Sequence, residues 1–205
     1  MKRLQWLLLM AAFLVTGTAC SGDDDDATGP GNGGGLATGE LSFNYSGALS
    51  GRFEAEGGLT GTSSPGDEYA VGMVDANENA MGVSAFVPTG SNRGDKVVIV
   101  IPGASRPGTY TISDDCGDCP GFLLYFGLPT NQQADPASTR IFVAIEGQIS
   151  VSRVDDGRMV GTFSGKAIEV LGDDEGMLDV TSGSFNVPVV ELPIPDPGLG
   201  LAPVF

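Results

Sequence analysis

Histidine is absent from the chain. Its absence excludes Ser-His-Asp and Cys-His nucleophile pairs, the zincins and most metal-assisted hydrolysis, all of which use an imidazole as base or ligand. Tryptophan occurs once, as Trp6, which leaves no indole in the rest of the chain to stack on a sugar. Positive charge is scarce: 10 Lys and Arg face 26 Asp and Glu, for a net charge of −16. Such a surface repels phosphate backbones and anionic headgroups, so no nucleic-acid partner is expected. No G-x-S-x-G and no G-x-x-x-x-G-K-[ST] occurs, and neither a nucleophile elbow nor a phosphate loop is encoded. The one long apolar run, Leu4 to Val15, falls short of the ~20 residues that span a bilayer.

That run is informative for another reason. Lys2 and Arg3 precede it, and Gly17-Thr18-Ala19 lead from it to Cys20. A basic start, a short apolar stretch and a small-residue exit describe an export signal over residues 1–19. With a cysteine at the exit, the segment resembles the lipobox of bacterial lipoproteins, although Gly17 stands where a large aliphatic is usual. The resemblance implies acylation at Cys20 and a lipid bilayer as the anchoring partner, each buried CH₂ contributing about 0.8 kcal/mol. Ser21 resembles an outer-membrane sorting residue of Gram-negative lipoproteins. It implies a lipid-anchored protein of the cell envelope, on the periplasmic or the surface side. Loss of residues 1–19 would leave 8 basic and 26 acidic side chains, a net charge of −18.

Residues 20–36 read SGDDDDATGPGNGGGL after Cys20 and have the composition of a flexible spacer. At the other end, prolines at 193, 195, 197 and 203 mark residues 193–205 as a tail that cannot run through a sheet. One domain over residues 37–192 remains, long enough for a core without metal or disulfide staples.

Within it, 32 glycines in the chain break every helical stripe, and apolar residues alternate instead. Ile141, Val143, Ile145, Ile149 and Val151 share one parity and are expected on one strand face. Asp155-Asp156-Gly157 then turns the chain into a partner strand from Arg158. Further strands are expected over Glu40–Ser46, Leu49–Glu56, Tyr69–Asp75, Ala80–Val87, Lys96–Ile101, Gly108–Ser113, Phe122–Gly127 and Leu178–Val190, the last interrupted near Pro188. About ten strands and no helix predict an all-β antiparallel sandwich or barrel-like domain. Three G-x-F phrases, at Gly51-Arg52-Phe53, Gly161-Thr162-Phe163 and Gly183-Ser184-Phe185, predict glycines that make room for buried rings. The phrases GTFSGKAIE and LDVTSGSFNV, behind a lipobox and polar linker, resemble small bacterial lipoproteins of unknown function, the DUF6252-like all-β domains. That resemblance implies an envelope β-domain and brings no catalytic residue.

Cys116 and Cys119, in Asp114-Asp115-Cys116-Gly117-Asp118-Cys119-Pro120, are an even pair in an exported chain, and a disulfide that pins a loop is expected. A thioredoxin-like couple wants a helix after the first cysteine, which Gly117, Pro120 and Gly121 disfavour. A zinc site would need carboxylates as its remaining ligands. Asp75-Ala76-Asn77-Glu78-Asn79 starts like a calcium loop, but Ala80 and Phe86 stand at its glycine and glutamate positions. The chain is therefore expected to carry no cofactor, no metal site and no catalytic residue. It is read as a tethered binding or structural module. A lipocalin-like small-molecule carrier and a carboxylate-dependent glycoside hydrolase are the alternatives.

Overall fold

The structure is a computed structural model that describes residues 38–58, 66–75, 79–90, 92–114, 119–130, 138–155, 157–171 and 176–191. Among them are ten strands: β1 (Gly39–Gly47), β2 (Gly51–Gly57), β3 (Tyr69–Asp75), β4 (Ala80–Gly90), β5 (Arg93–Ile101), β6 (Gly108–Ser113), β7 (Gly121–Pro129), β8 (Arg140–Asp155), β9 (Arg158–Leu171) and β10 (Met177–Glu191). Seven of them close a ring in the order β10-β3-β4-β5-β7-β8-β9 and back to β10, with β1 and β2 extending from β10 and β6 from β8. The domain is all-β, as alternation and glycine content predict.

The ring closes because β8 and β10 are long enough to change partner. Along one edge β10 pairs with β1 as far as Asn186, then with β3 from Val189 to Glu191. Pro188 sits where the partner changes, at a place where a missing N–H costs no ladder bond. The interruption expected there is thus one of pairing, since β10 itself runs through. Its junction with β3 is parallel, while the other pairings are antiparallel.

The interior is filled by inward-facing side chains at period two, such as Met81, Val83 and Ala85 of β4 and Val97, Ile99 and Ile101 of β5. Phe43 stacks on Phe53 with centroids 5.1 Å apart, and Phe163 meets both Phe43 and Phe122 edge-on at 5.5 and 5.6 Å. Two of the G-x-F phrases interlock. Gly161 pairs with Phe185 and Gly183 with Phe163 across β9 and β10, so each strand's glycine receives the other's ring. A Cβ on Gly161 would run into the ring of Phe185 and the backbone oxygen of Ser150.

β8 departs from its expected face pattern. Phe142 is in the core with Ile149 and Val151, whereas Ile141 and Val143 are only partly buried. Ala144 pairs with Ala167 and Glu146 with Lys166, which leaves Ile145 as an extra, unpaired residue. A bulge of one residue exchanges the two faces of a strand, so the inward parity is even before Ile145 and odd after it.

The expected Cys116–Cys119 disulfide reaches beyond the described residues. No Sγ–Sγ pair is present among the described residues, and Cys116 lies outside them. Cys119 is half-buried at the entry to β7 and is not without a partner.

Candidate binding face

Cys20 lies outside the described residues, as do Ala76, Asn77 and Glu78 of the calcium-like loop. That loop's described end is a turn: Asn79 has a φ of 50° and its Oδ1 accepts a hydrogen bond from Ser105 Oγ at 2.9 Å. Among the described residues no group of three or more Cys, Asp or Glu is placed to hold a metal ion.

The structure instead brings together residues that the sequence reading treated only as strand. Outward-facing side chains form two cross-strand rows. One runs Tyr69, Phe86, Lys96, Tyr125, Ile141, Leu171, from β3 to β9. The other runs Val71, Ser84, Val98, Leu123, Val143, Ile168, Met177, from β3 to β10. Cross-strand neighbours of this kind are ~5 Å apart and pack on one another. The rows grade from buried to open. Tyr69, Val71, Phe86 and Val98 are buried, Tyr125, Ile141 and Val143 are half-buried, and Ile168, Leu171 and Met177 are 37%, 53% and 49% exposed.

The bulges make this band. If β8 kept the parity of Ile149 throughout, Ile141 and Val143 would point into the core and the band would break at β8. Elsewhere on β1, β2, β9 and β10 the outward positions include polar Ser42, Glu54, Thr162, Ser184 and Asn186.

Lys96 is the one charge in the two rows. It is 7% exposed and has no hydrogen-bond or ion-pair partner among the described residues. No fully buried side-chain nitrogen or oxygen among those residues lacks a partner. The Lys96 stem is therefore packed between Phe86 and Tyr125 while its ammonium keeps only slight contact with solvent. Burial lowers its pKa from the ordinary lysine value to about 8. The sequence carried a signal for this site: in Lys96-Val97-Val98-Ile99-Val100, period two puts the lysine on a face it shares only with valines.

A second polar group closes one end of the core. Arg140 Nε and Nη2 donate to the two carboxylate oxygens of Glu169 at 2.7 and 2.6 Å, and the guanidinium lies 5.2 Å from the centre of the Phe142 ring. The Glu169 side chain is only 2% exposed. The Arg140 hydrogen bonds hold its carboxyl below the usual carboxylate range, against burial, which acts the other way. Nearby, the Gly127 amide donates to Asp95 Oδ1 at 2.9 Å and Arg93 donates to the Gly127 carbonyl at 2.9 Å. Burial raises the Asp95 pKa, and the Gly127 amide opposes that rise. Both inward acids are thus tied to structural donors.

The Glu169 pair has a pH signature. A lowered folded pKa contributes stability that is complete above the ordinary carboxylate value and is lost as pH falls through the folded one. Wild type should lose stability on acidification below pH 5. Arg140→Met removes the donor that lowers the Glu169 pKa, so the slope attributable to Glu169 should be lost and the variant should be weaker at pH 7. Urea midpoints of both proteins between pH 7 and 3 check this. Parallel curves would remove the pair from the account of acid stability.

Comparisons with protein-family models, with curated proteins and with solved structures return no match.

Proposed function

We propose that the protein is a lipoprotein of the cell envelope, anchored through acyl chains on Cys20, whose β-domain is a binding module that works through its outer surface. The observation that carries the binding reading is the apolar band on β5, β7, β8, β9 and β10, which lies outside the core and ends in the exposed side chains Ile168, Leu171 and Met177. A core that needed those residues would bury them, and contiguous exposed apolar surface rimmed by polar groups marks interaction sites. The rings of Phe43, Phe53, Phe122 and Phe163 meet inside the barrel, which favours the outer face over the central cavity that a lipocalin-like carrier would use. The hydrolase alternative has little to draw on, since Asp95 and Glu169 are each held by a structural donor. The anchoring reading rests on Lys2, Arg3, the run from Leu4 to Val15 and the exit into Cys20.

Growth of a Gram-negative host with labelled palmitate tests the anchor. The wild-type protein should carry label and sediment with membranes. Cys20→Ala should lose the label and appear in the soluble envelope fraction. Equal labelling of Cys20→Ala, or a mature chain beginning elsewhere than Cys20, would sink the lipoprotein reading.

A further inference from the structure

The binding-module reading leaves the ligand open, and the outer face narrows it. Three properties of the face act together. Its two rows, over six and seven strands, are apolar apart from Lys96, the Tyr125 phenol and the paired hydroxyls of Tyr69 and Ser84, 3.3 Å apart. Its exposed part begins beside Lys96 at Tyr125 and Leu123 and widens toward β9 and β10. Lys96 itself is nine-tenths buried and without a partner among the described residues, in a chain where acids outnumber bases 26 to 10.

The contrast with the other described lysine is sharp. Lys166 is exposed and bonded to Glu146 at 2.7 Å. A lysine left unpaired among the described residues of so acidic a chain is a positive charge that those residues do not satisfy.

We infer, on the binding-module reading, that the outer face takes a single-chain amphiphile with one anionic head, the head pairing with Lys96 and the alkyl body lying along Tyr125, Leu123, Val143 and Ile168. From β5 to β9 the face is three strand spacings wide, about 14 Å, a length suited to an alkyl chain of medium size. The head gains a charge-assisted hydrogen bond in a place where water is already largely excluded. The body covers side chains that the core does not use. An extended anionic membrane surface fits less well, because the rest of the chain would be repelled by it. A protein partner fits less well too. The side chains nearest Lys96 have little exposed area left, and a stable protein interface needs about 800 Å² on each side.

The probe is dodecanoate below its micelle-forming concentration, with dodecyltrimethylammonium as the cationic partner of similar chain length. The protein is the Cys20→Ala chain, so that no attached acyl group competes, and binding is followed by titration calorimetry. Dodecanoate should bind saturably at one per chain, and dodecyltrimethylammonium at least tenfold more weakly. Lys96→Met, which keeps the packed stem, should weaken dodecanoate at least tenfold, and Ile168→Ser should weaken both amphiphiles. If the two amphiphiles bind alike, or Lys96→Met binds dodecanoate as wild type does, the ionic part is wrong and the proposal falls, while the apolar binding face survives. If neither binds and sedimentation shows a dimer that Ile168→Ser dissolves, the face belongs to a second copy of the chain. If neither binds and the chain is monomeric, the proposal and the binding reading of this face fail together. Palmitate labelling is unaffected by any of these results.

Discussion

Phe163→Ala should lower the free energy of unfolding by about 3–5 kcal/mol, the usual cost of deleting a buried ring whose site cannot collapse. Phe163 is in the core and is held from several sides. It meets Phe43 and Phe122 edge-on, and it lies against Gly183, where a Cβ would come within 2.7 Å of the ring. Those neighbours are on β1, β7 and β10, so the ring ties opposite walls of the barrel together. Relaxation into the space would need movement of strands already fixed by their ladders, which keeps the cavity open. Thr162→Ala, one residue away and facing solvent, is the control and should change stability by less than about 0.5 kcal/mol. The measurement is denaturant unfolding followed by far-ultraviolet circular dichroism, because the domain has no tryptophan to report. A loss below about 1 kcal/mol would mean that the ring cluster is not the centre of the core.

This prediction depends on a feature that was legible in the sequence. The repeated Gly-x-Phe implied buried rings over glycines, and Phe53, Phe163 and Phe185 are all buried. What could not be read was the reciprocity of Gly161 with Phe185 and Gly183 with Phe163, since register between strands is a tertiary property. Strand positions were legible for the same reason as the rings. Alternation and turn residues are local; β3 and β6 fall where expected, and the strands on either side of the expected turn meet at Asp155 and Arg158.

The binding face was not legible, and β8 shows why. Its apolar residues at 141, 143, 145, 149 and 151 look like one stripe, yet the extra residue at Ile145 puts the first two outside and the last two inside. A bulge leaves no mark on hydrophobicity. Beyond the bulge Gly147 and Gly165 meet across the strands, where a Cβ on Gly147 would strike the backbone of Ser164. Ring closure was hidden in the same way. A parallel contact of three residue pairs at the end of β10 has no sequence period of its own.

Lys96→Met should make the protein more stable at pH 7, by about 3 kcal/mol. The expectation comes from a charge held in an apolar setting without a partner among the described residues. Burial lowers the folded pKa of Lys96 from 10.5 to about 8, and one pKa unit corresponds to about 1.4 kcal/mol between the two protonation states. At pH 7 the ammonium is protonated in both folded and unfolded chains, so the whole penalty is present. Between pH 8 and 10.5 the unfolded chain holds a proton that the folded one has released. Stability therefore rises with pH across that window. Methionine keeps the stem between Phe86 and Tyr125 and carries no charge, so Lys96→Met should begin higher and lack this rise. The groups around Lys96 on its own face, Phe86, Tyr125, Val98 and Tyr69, add no charge there in this range, because burial raises the pKa of both tyrosines. Asp95 precedes Lys96 but faces inward, where the Gly127 amide holds it. Denaturant unfolding of both proteins at pH 7, 8, 9 and 9.5 gives two curves that should approach one another as the wild-type amine loses its proton. A variant no more stable than wild type at pH 7 would mean that the Lys96 ammonium is well hydrated in the folded state. The unsatisfied charge that recommends this face for an anionic amphiphile would then not exist.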